Sequence, residues 1–200
     1  MNTEINNQVN NKQNTEKENI IKKILPFVWE VFKIFIIASV IVLPIRYFLF
    51  QPFIVKGESM IPSFQQGDYL IVDEISYRFA DPQRGDVVVF KYPKDKSQKF
   101  IKRIVGLPGE TVEVKGGKVI IYKDDYSQVL DEKYLLNPEG TIGTIKITLG
   151  EDEYFVLGDN REFSYDSRAW GSVPLENIIG KVFLRILPVT ALSKITVPNY

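Results

Sequence analysis

The chain has 200 residues and a mass of 23.0 kDa, room for one ordinary domain and an appendage. Its 25 Lys and Arg balance 25 Asp and Glu, so no global positive field argues for a nucleic-acid partner. Cysteine and histidine are both absent. Thiol nucleophiles, disulfides, Cys/His zinc sites and imidazole bases are excluded, and acid–base chemistry falls to Asp, Glu, Lys and Tyr, with no metal or cofactor expected.

The first 19 residues carry seven asparagines and only Met1, Ile5 and Val9 as apolar side chains. Such a segment cannot bury enough surface to offset ordering entropy, so residues 1–26 are expected to be a disordered tail. From Val31 to Phe50 the chain is apolar for twenty residues, charged only at Lys33 and Arg46. A helix of that length spans roughly 30 Å, one bilayer core, and residues 27–50 are expected to form a single transmembrane anchor. Both charges fall near the expected ends, where long side chains snorkel, and Tyr47, Phe48 and Phe50 suit an interfacial aromatic belt. A cleavable signal peptide would close on a small-residue site, and a buried helix would show an amphipathic stripe; neither feature is present. Lys12, Lys17, Lys22, Lys23 and Lys33 outnumber Arg46 and Lys56 on the other side, which predicts a cytoplasmic N-terminus and an extracytoplasmic body in the cell membrane.

Residues 51–200 read as a mainly β body. Short β-branched runs bounded by Gly, Asp and Pro recur at Tyr69–Val72, Asp86–Phe90, Phe100–Val105, Ile145–Leu149, Tyr154–Leu157 and Ile178–Leu187. Thr111–Val114 and Val119–Tyr122 flank Lys115-Gly116-Gly117-Lys118, a hairpin whose glycines supply positive φ. No helical period is sustained after Phe50. The expected architecture is a set of folded sheets or a partial barrel, with a smaller inserted hairpin subdomain at about 108–152. The stretch from Asp124 to Gly143 is the least regular, and a mobile excursion is expected there.

A serine nucleophile in such a chain needs a base, and lysine is a natural candidate. At a reference pKa near 10.4, only about one amine in 2,500 is neutral at pH 7, so the lysine must be desolvated. Lys102 fits that requirement, because period-2 alternation puts Phe100 and Ile104 on its face of the strand. The pattern equally allows a surface lysine beside Arg103, since Ile101 and Val105 make the opposite face apolar too. Ser59 lies in Gly57-Glu58-Ser59-Met60-Ile61-Pro62, soon after the apolar span, where an ordinary turn serine is the plainer alternative.

Five ordered boxes go further. They are Phe53-Ile54-Val55-Lys56-Gly57-Glu58-Ser59-Met60-Ile61-Pro62; Gly67-Asp68; Arg84-Gly85-Asp86-Val87-Val88-Val89-Phe90; Ile101-Lys102-Arg103-Ile104-Val105-Gly106-Leu107-Pro108-Gly109; and Gly158-Asp159-Asn160-Arg161-Glu162-Phe163-Ser164-Tyr165-Asp166-Ser167-Arg168-Ala169-Trp170-Gly171. Together with the anchor ahead of them, they resemble the bacterial type I signal peptidase family over roughly residues 27 to 188. The resemblance implies a Ser–Lys dyad endopeptidase that removes signal peptides from exported preproteins, with Ser59 as nucleophile and Lys102 as general base. It further implies that Ser164 orients the lysine amine, that Asp166 and Arg168 form a supporting ion pair, and that Asp159 and Arg161 fix the shape of their loop.

Many members carry a serine two positions before the nucleophile, where its hydroxyl helps hold the oxyanion; here that position is Gly57. The Ser59 backbone N–H remains as one donor, and the Gly57 position offers only backbone or water. Loss of one such donor costs on the order of 3–4 kcal/mol elsewhere, so a substitute is expected. Ser63 and Phe64 also stand where Thr-Leu is usual. By the same resemblance Phe53, Val55 and Ile101 line shallow apolar pockets that admit small side chains at −1 and −3, although Phe53 and Val55 are equally readable as plain core. The partners implied are signal peptides and the bilayer. Two rivals are a non-catalytic, membrane-tethered β-domain acting as a binding module and a self-cleaving repressor-type protease. The first is disfavoured by the presence of both dyad positions, the second by the apolar span.

Overall fold

The structure is a computed structural model that describes residues 24–43, 50–188, 193–194 and 198. The expected tail up to residue 23 and the aromatic belt at Tyr47 and Phe48 lie outside the described residues. The chain divides into two units, residues 1–47 and 48–200.

Helix α1 runs Ile24–Leu43, twenty residues, long and apolar enough to cross a membrane. Every residue in it is exposed except the half-buried Ser39. A helix that is apolar on all sides suits either a protein core or a bilayer, and this one is not buried in protein. It begins three residues before the expected anchor, with Pro26 in its first described turn, where a missing N–H is tolerated. Lys33 therefore stands near the middle of the described helix instead of at its edge. It pairs with Glu30, one turn back, at 2.7 Å.

The β unit contains two antiparallel sheets. Strands β1 (Phe50–Ile54), β2 (Tyr69–Asp73), β3 (Val87–Tyr92), β4 (Asp95–Gly106), β9 (Glu153–Leu157), β10 (Val173–Pro174), β11 (Ile178–Leu187) and β12 (Ser193–Lys194) form the larger one. Its order is β1-β2-β11-β3-β4-β9-β10, with β12 against β11. The smaller sheet has the order β7-β6-β5-β8, from β5 (Thr111–Lys115), β6 (Lys118–Lys123), β7 (Tyr126–Val129) and β8 (Ile145–Thr148). Gly116 and Gly117, both at positive φ, join β5 to β6.

Strand β3 shows why the larger sheet forms. Its alternation sends Val87 and Val89 into one cluster with Met60, Phe64, Leu70 and Val72, and sends Val88 and Phe90 into another with Ile104, Tyr154 and Trp170. A strand buried on both faces reads as a continuous apolar run, as this one does. A third cluster, including Val112, Val114 and Ile121, packs the smaller sheet against Val105, Phe155 and Leu157 of β4 and β9.

Of the stretch expected to be least regular, Asp124–Gly143, the residues Tyr126–Val129 form β7, and the rest, between β7 and β8, is irregular but tied down. Leu130, Glu132, Leu135 and Thr141 are all buried. The excursion predicted there is thus packed into the body through its own side chains.

Candidate active site

Strand β4 carries Lys102 between two inward neighbours. Val88 of β3 pairs with it across the sheet, and its own face holds Phe100 and Ile104. The residue is only 5% exposed, so the surface-lysine reading is excluded. Its Nζ lies 2.7 Å from Ser59 Oγ and donates to the Ile101 carbonyl at 2.9 Å. Burial brings the Lys102 pKa down from 10.5 to about 8, against the Asp166 and Asp159 carboxylates, which raise it.

Ser59 sits on the turn after β1. Val55, Met60 and Phe64 anchor that turn in the core, and Phe64 N–H closes it on the Met60 carbonyl at 2.8 Å. From the other side Asn160 N–H donates to the Ser59 carbonyl at 2.9 Å, and Asn160 Nδ2 to the Glu58 carbonyl at 3.1 Å. The Ser59 N–H makes no hydrogen bond among the described residues, so it is available to an incoming oxygen. Gly57 adopts φ +84°, and a Cβ built there would meet nothing within 4 Å. Its side of the turn is open space, with no side-chain donor.

The loop from Gly158 to Arg168 binds this arrangement together. Asp159 and Arg103 form a two-pronged pair, with Arg103 Nε to Oδ1 at 2.9 Å and Nη2 to Oδ2 at 2.6 Å, and both side chains are buried. Asp166 takes Nε and Nη2 of Arg168 at 2.8 and 2.9 Å and also accepts Gly158 N–H at 3.1 Å. Asp166 caps the short helix α2 (Ser167–Trp170) as well, while Arg168 Nη2 reaches back to the Arg161 carbonyl at 2.7 Å. Asp166 is wholly buried, so this is not a solvated surface pair.

Ser164 departs from expectation. Its Oγ is buried without a hydrogen-bond partner, so the expected bond to Lys102 is not made. The amine is oriented instead by Ser59 and the Ile101 carbonyl. Ser164 nevertheless lies close to the Ser59 turn: a Cβ added to Gly158 would overlap Ser164 Oγ and stand 2.5 Å from the Ser59 carbonyl oxygen.

A cleft of about 300 Å³ opens at Ser59 and Lys102, and Phe53, Ile54, Phe100 and Ile101 line it with them. Val55 is not among its lining residues; it is buried in the core beside Met60 and Phe64. Ile54 and Phe100 were not anticipated as walls. Lys56 and Lys99 stand at the same cleft.

Two further residues escaped the sequence reading. The pattern marks Arg103 only as a neighbour of Lys102, although an arginine on a strand apolar on both faces calls for a buried carboxylate. Glu132 grips Arg161 with both oxygens, at 2.8 and 2.5 Å, from a segment whose irregular pattern carried no signal. Among the described residues no group of three or more acidic side chains is arranged to hold a metal ion.

Comparison with known proteins places the chain in a family. The family model described as signal peptidase, peptidase S26, matches residues 28–187. A signal peptidase I of Leptolyngbya laminosa is 42% identical over 170 residues, covering 81% of each chain. The probable signal peptidase I-1 of Synechocystis sp. is 39% identical over 176 residues, 82% of this chain and 87% of that one. The signal peptidase I of Pseudomonas aeruginosa is 32% identical over 225 residues, covering 88% and 78%. With the match running from the apolar helix through the last long strand, the chain belongs to the signal peptidase, peptidase S26, family.

Proposed function

We propose that this protein is a membrane-anchored serine endopeptidase that cleaves signal peptides from exported preproteins with a Ser59–Lys102 dyad. The observation that carries the reading is a buried amine 2.7 Å from a serine hydroxyl at the edge of a cleft. At a pKa of about 8, roughly one lysine in ten is neutral at pH 7, several hundred times more than at 10.5. The Ile101 carbonyl takes one N–H of the amine and leaves its lone pair to face Ser59 Oγ. As Oγ attacks the scissile carbonyl, its proton passes to Nζ; the resulting ammonium then protonates the departing amine, and water repeats the sequence to release the acyl group. The free Ser59 N–H receives the developing oxyanion, with water or Gly57 backbone as the second donor.

Specificity follows from the cleft. An extended peptide adds alongside β1 or β4, and Phe53 and Ile101 leave space for alanine-sized side chains at −1 and −3. Ser164 is assigned to the amine once substrate has entered, since a buried hydroxyl left without a partner costs about 1–3 kcal/mol and calls for a functional reason. Helix α1 supplies the anchor, and the lysines ahead of it keep the N-terminus cytoplasmic, with the β unit outside.

The test is cleavage of a preprotein by the detergent-solubilised full chain. Ser59→Ala and Lys102→Ala are each expected to abolish turnover while the β unit stays folded. For the unsubstituted chain, kcat/KM should rise about tenfold per pH unit below a pKa of about 8 and level off above it. Full activity in either variant, or a flat profile from pH 6 to 9, removes the dyad from the mechanism.

A further inference from the structure

Arg161 is bonded more completely than a residue that merely shapes a loop requires. All five of its guanidinium N–H donors are used: Nε on the Gly158 carbonyl at 3.0 Å, Nη1 on Glu132 Oε2 at 2.8 Å and Thr141 Oγ1 at 2.6 Å, and Nη2 on Glu132 Oε1 at 2.5 Å and the Tyr134 hydroxyl at 3.2 Å. Four of those five bonds go to one segment, residues 132–141, which lies between β7 and β8 and outside every motif of the dyad. The Tyr134 hydroxyl also donates to Glu132 Oε1 at 2.8 Å, and its ring lies 4.4 Å from the guanidinium of Arg103. The same short segment therefore holds two arginines. One belongs to the loop that meets the nucleophile, and the other is the immediate neighbour of the base.

The consequences converge on the dyad. Arg161 fixes the Gly158 carbonyl, Asp159 grips Arg103, and Asn160 donates to the Ser59 and Glu58 carbonyls. These consecutive residues thus join the nucleophile turn to the strand of the base. Their outer support is Glu132. We infer that Glu132, assisted by Tyr134, is a positioning residue for the reaction, which holds the 158–161 loop so that Ser59 and Lys102 meet in a dry site.

This rests on the dyad reading above and deepens it. A carboxylate in this position does more than stabilise. Displacing reacting groups by about 1 Å costs on the order of 100-fold in rate. Loosening the loop would also let water reach Lys102. The charged groups that face the amine are Asp166 and Asp159 from the loop and Lys56 and Lys99 at the cleft. Of the causes that act on its pKa, burial is the largest, ahead of both carboxylates, so a wetter site moves the lysine upward.

The experiment compares pH–rate profiles of the detergent-solubilised full chain with those of its Glu132→Gln variant on one preprotein substrate, with unfolding followed in parallel. Glu132→Gln keeps the side-chain shape and deletes the charge. The expected result is kcat lower by about 100-fold at pH 7, KM within about twofold, and an acid limb displaced upward by about one pH unit, so that activity partly recovers at pH 9. A folded variant whose profile superimposes on the parent overturns the inference, and so does a loss of equal size at every pH, which reports only fewer folded molecules. If Glu132→Gln does not fold, Tyr134→Phe decides, because it removes just the hydroxyl shared by Glu132 and Arg161. An acid limb moved upward supports the inference, and an unmoved limb overturns it. Absence of cleavage by the parent chain is a different outcome, which strikes the dyad reading itself.

Discussion

Arg103 and Asp159 face each other as two parallel forks, at 2.9 and 2.6 Å, with the carboxylate wholly out of solvent. The guanidinium also donates to the Gly85 carbonyl at 2.8 Å and Ser63 Oγ at 3.2 Å. Removing one member of such a buried pair leaves the other charge without compensation, at about 3–5 kcal/mol. Asp159→Asn is therefore expected to lower unfolding free energy by about that amount, read as a fall in the urea midpoint at unchanged slope. Replacing both members with apolar residues, Arg103→Met with Asp159→Leu, should restore most of the stability without restoring activity. An Asp159→Asn variant as stable as the parent would show that the pair carries no net charge cost.

A depressed lysine pKa has a signature in stability as well as in rate. Lys102 titrates at about 8 in the folded chain and near 10.5 unfolded, so between those values the unfolded state binds more protons and stability rises with pH. Below pH 8 the folded protein carries the full cost of a buried ammonium, about 3 kcal/mol for a displacement of that size. Lys102→Met should accordingly be inactive yet more stable than the parent by about 2–3 kcal/mol at pH 7. The advantage should shrink steadily as pH climbs from 8 toward 10.5. Denaturation series at pH 7 and pH 10 measure it; a difference independent of pH would mean that the amine is not desolvated.

The features legible in the sequence are those with a local period. The run Val87–Phe90 announces a strand buried on both sides because every position in it is apolar; alternation also puts Lys102 on the face of Phe100 and Ile104, but leaves its burial open because the opposite face is apolar too. Helix α1 is legible from composition, but its first turn is not, since Ile24 and Leu25 continue an apolar pattern across Pro26 that reads as an interruption. What alternation cannot disclose is which distant groups meet. Ser59 and Lys102 are 43 residues apart, and Arg161 and Glu132 are 29 apart. A buried carboxylate in an irregular segment leaves no periodic trace, so Glu132 looked like any charged residue of a loop. Val55 shows the converse limit: the resemblance groups it with Phe53 as a wall of the cleft, yet it is buried in the core cluster against which Phe53 also packs, and only Phe53 reaches the cleft.

Ser164 permits a test that separates stability from turnover. Its hydroxyl is buried and makes no hydrogen bond, so deleting it removes a desolvated polar group and no hydrogen bond. Ser164→Ala should keep or raise the unfolding free energy by about 1 kcal/mol. If the hydroxyl serves the lysine in the substrate complex, kcat should fall on the order of 10- to 100-fold in the same variant. Thermal unfolding and preprotein cleavage of one preparation give both readings. A variant with parental kcat would release Ser164 from any catalytic assignment.

Gly158 is the tightest point of the site, and its substitution tests whether the loop and the nucleophile turn can part at all. The backbone there passes between Ser164 and the Ser59 carbonyl, and an added Cβ would come within 2.5 Å of that oxygen and overlap the Ser164 hydroxyl. One of these obstacles is a movable side chain; the other is backbone, tied to Asn160 N–H at 2.9 Å. Gly158→Ala must therefore push the loop away from Ser59, breaking or stretching that bond. A displacement of about 1 Å is expected to lower kcat/KM on the order of 100-fold, with a loss of stability in the 1–3 kcal/mol range of an overpacked core. Combining it with Ser164→Gly clears the side-chain obstacle and leaves the carbonyl in place. The double variant should recover part of the stability and little of the activity. Full recovery of cleavage would mean that the nucleophile turn tolerates a looser loop, and that the close approach at Gly158 serves packing alone.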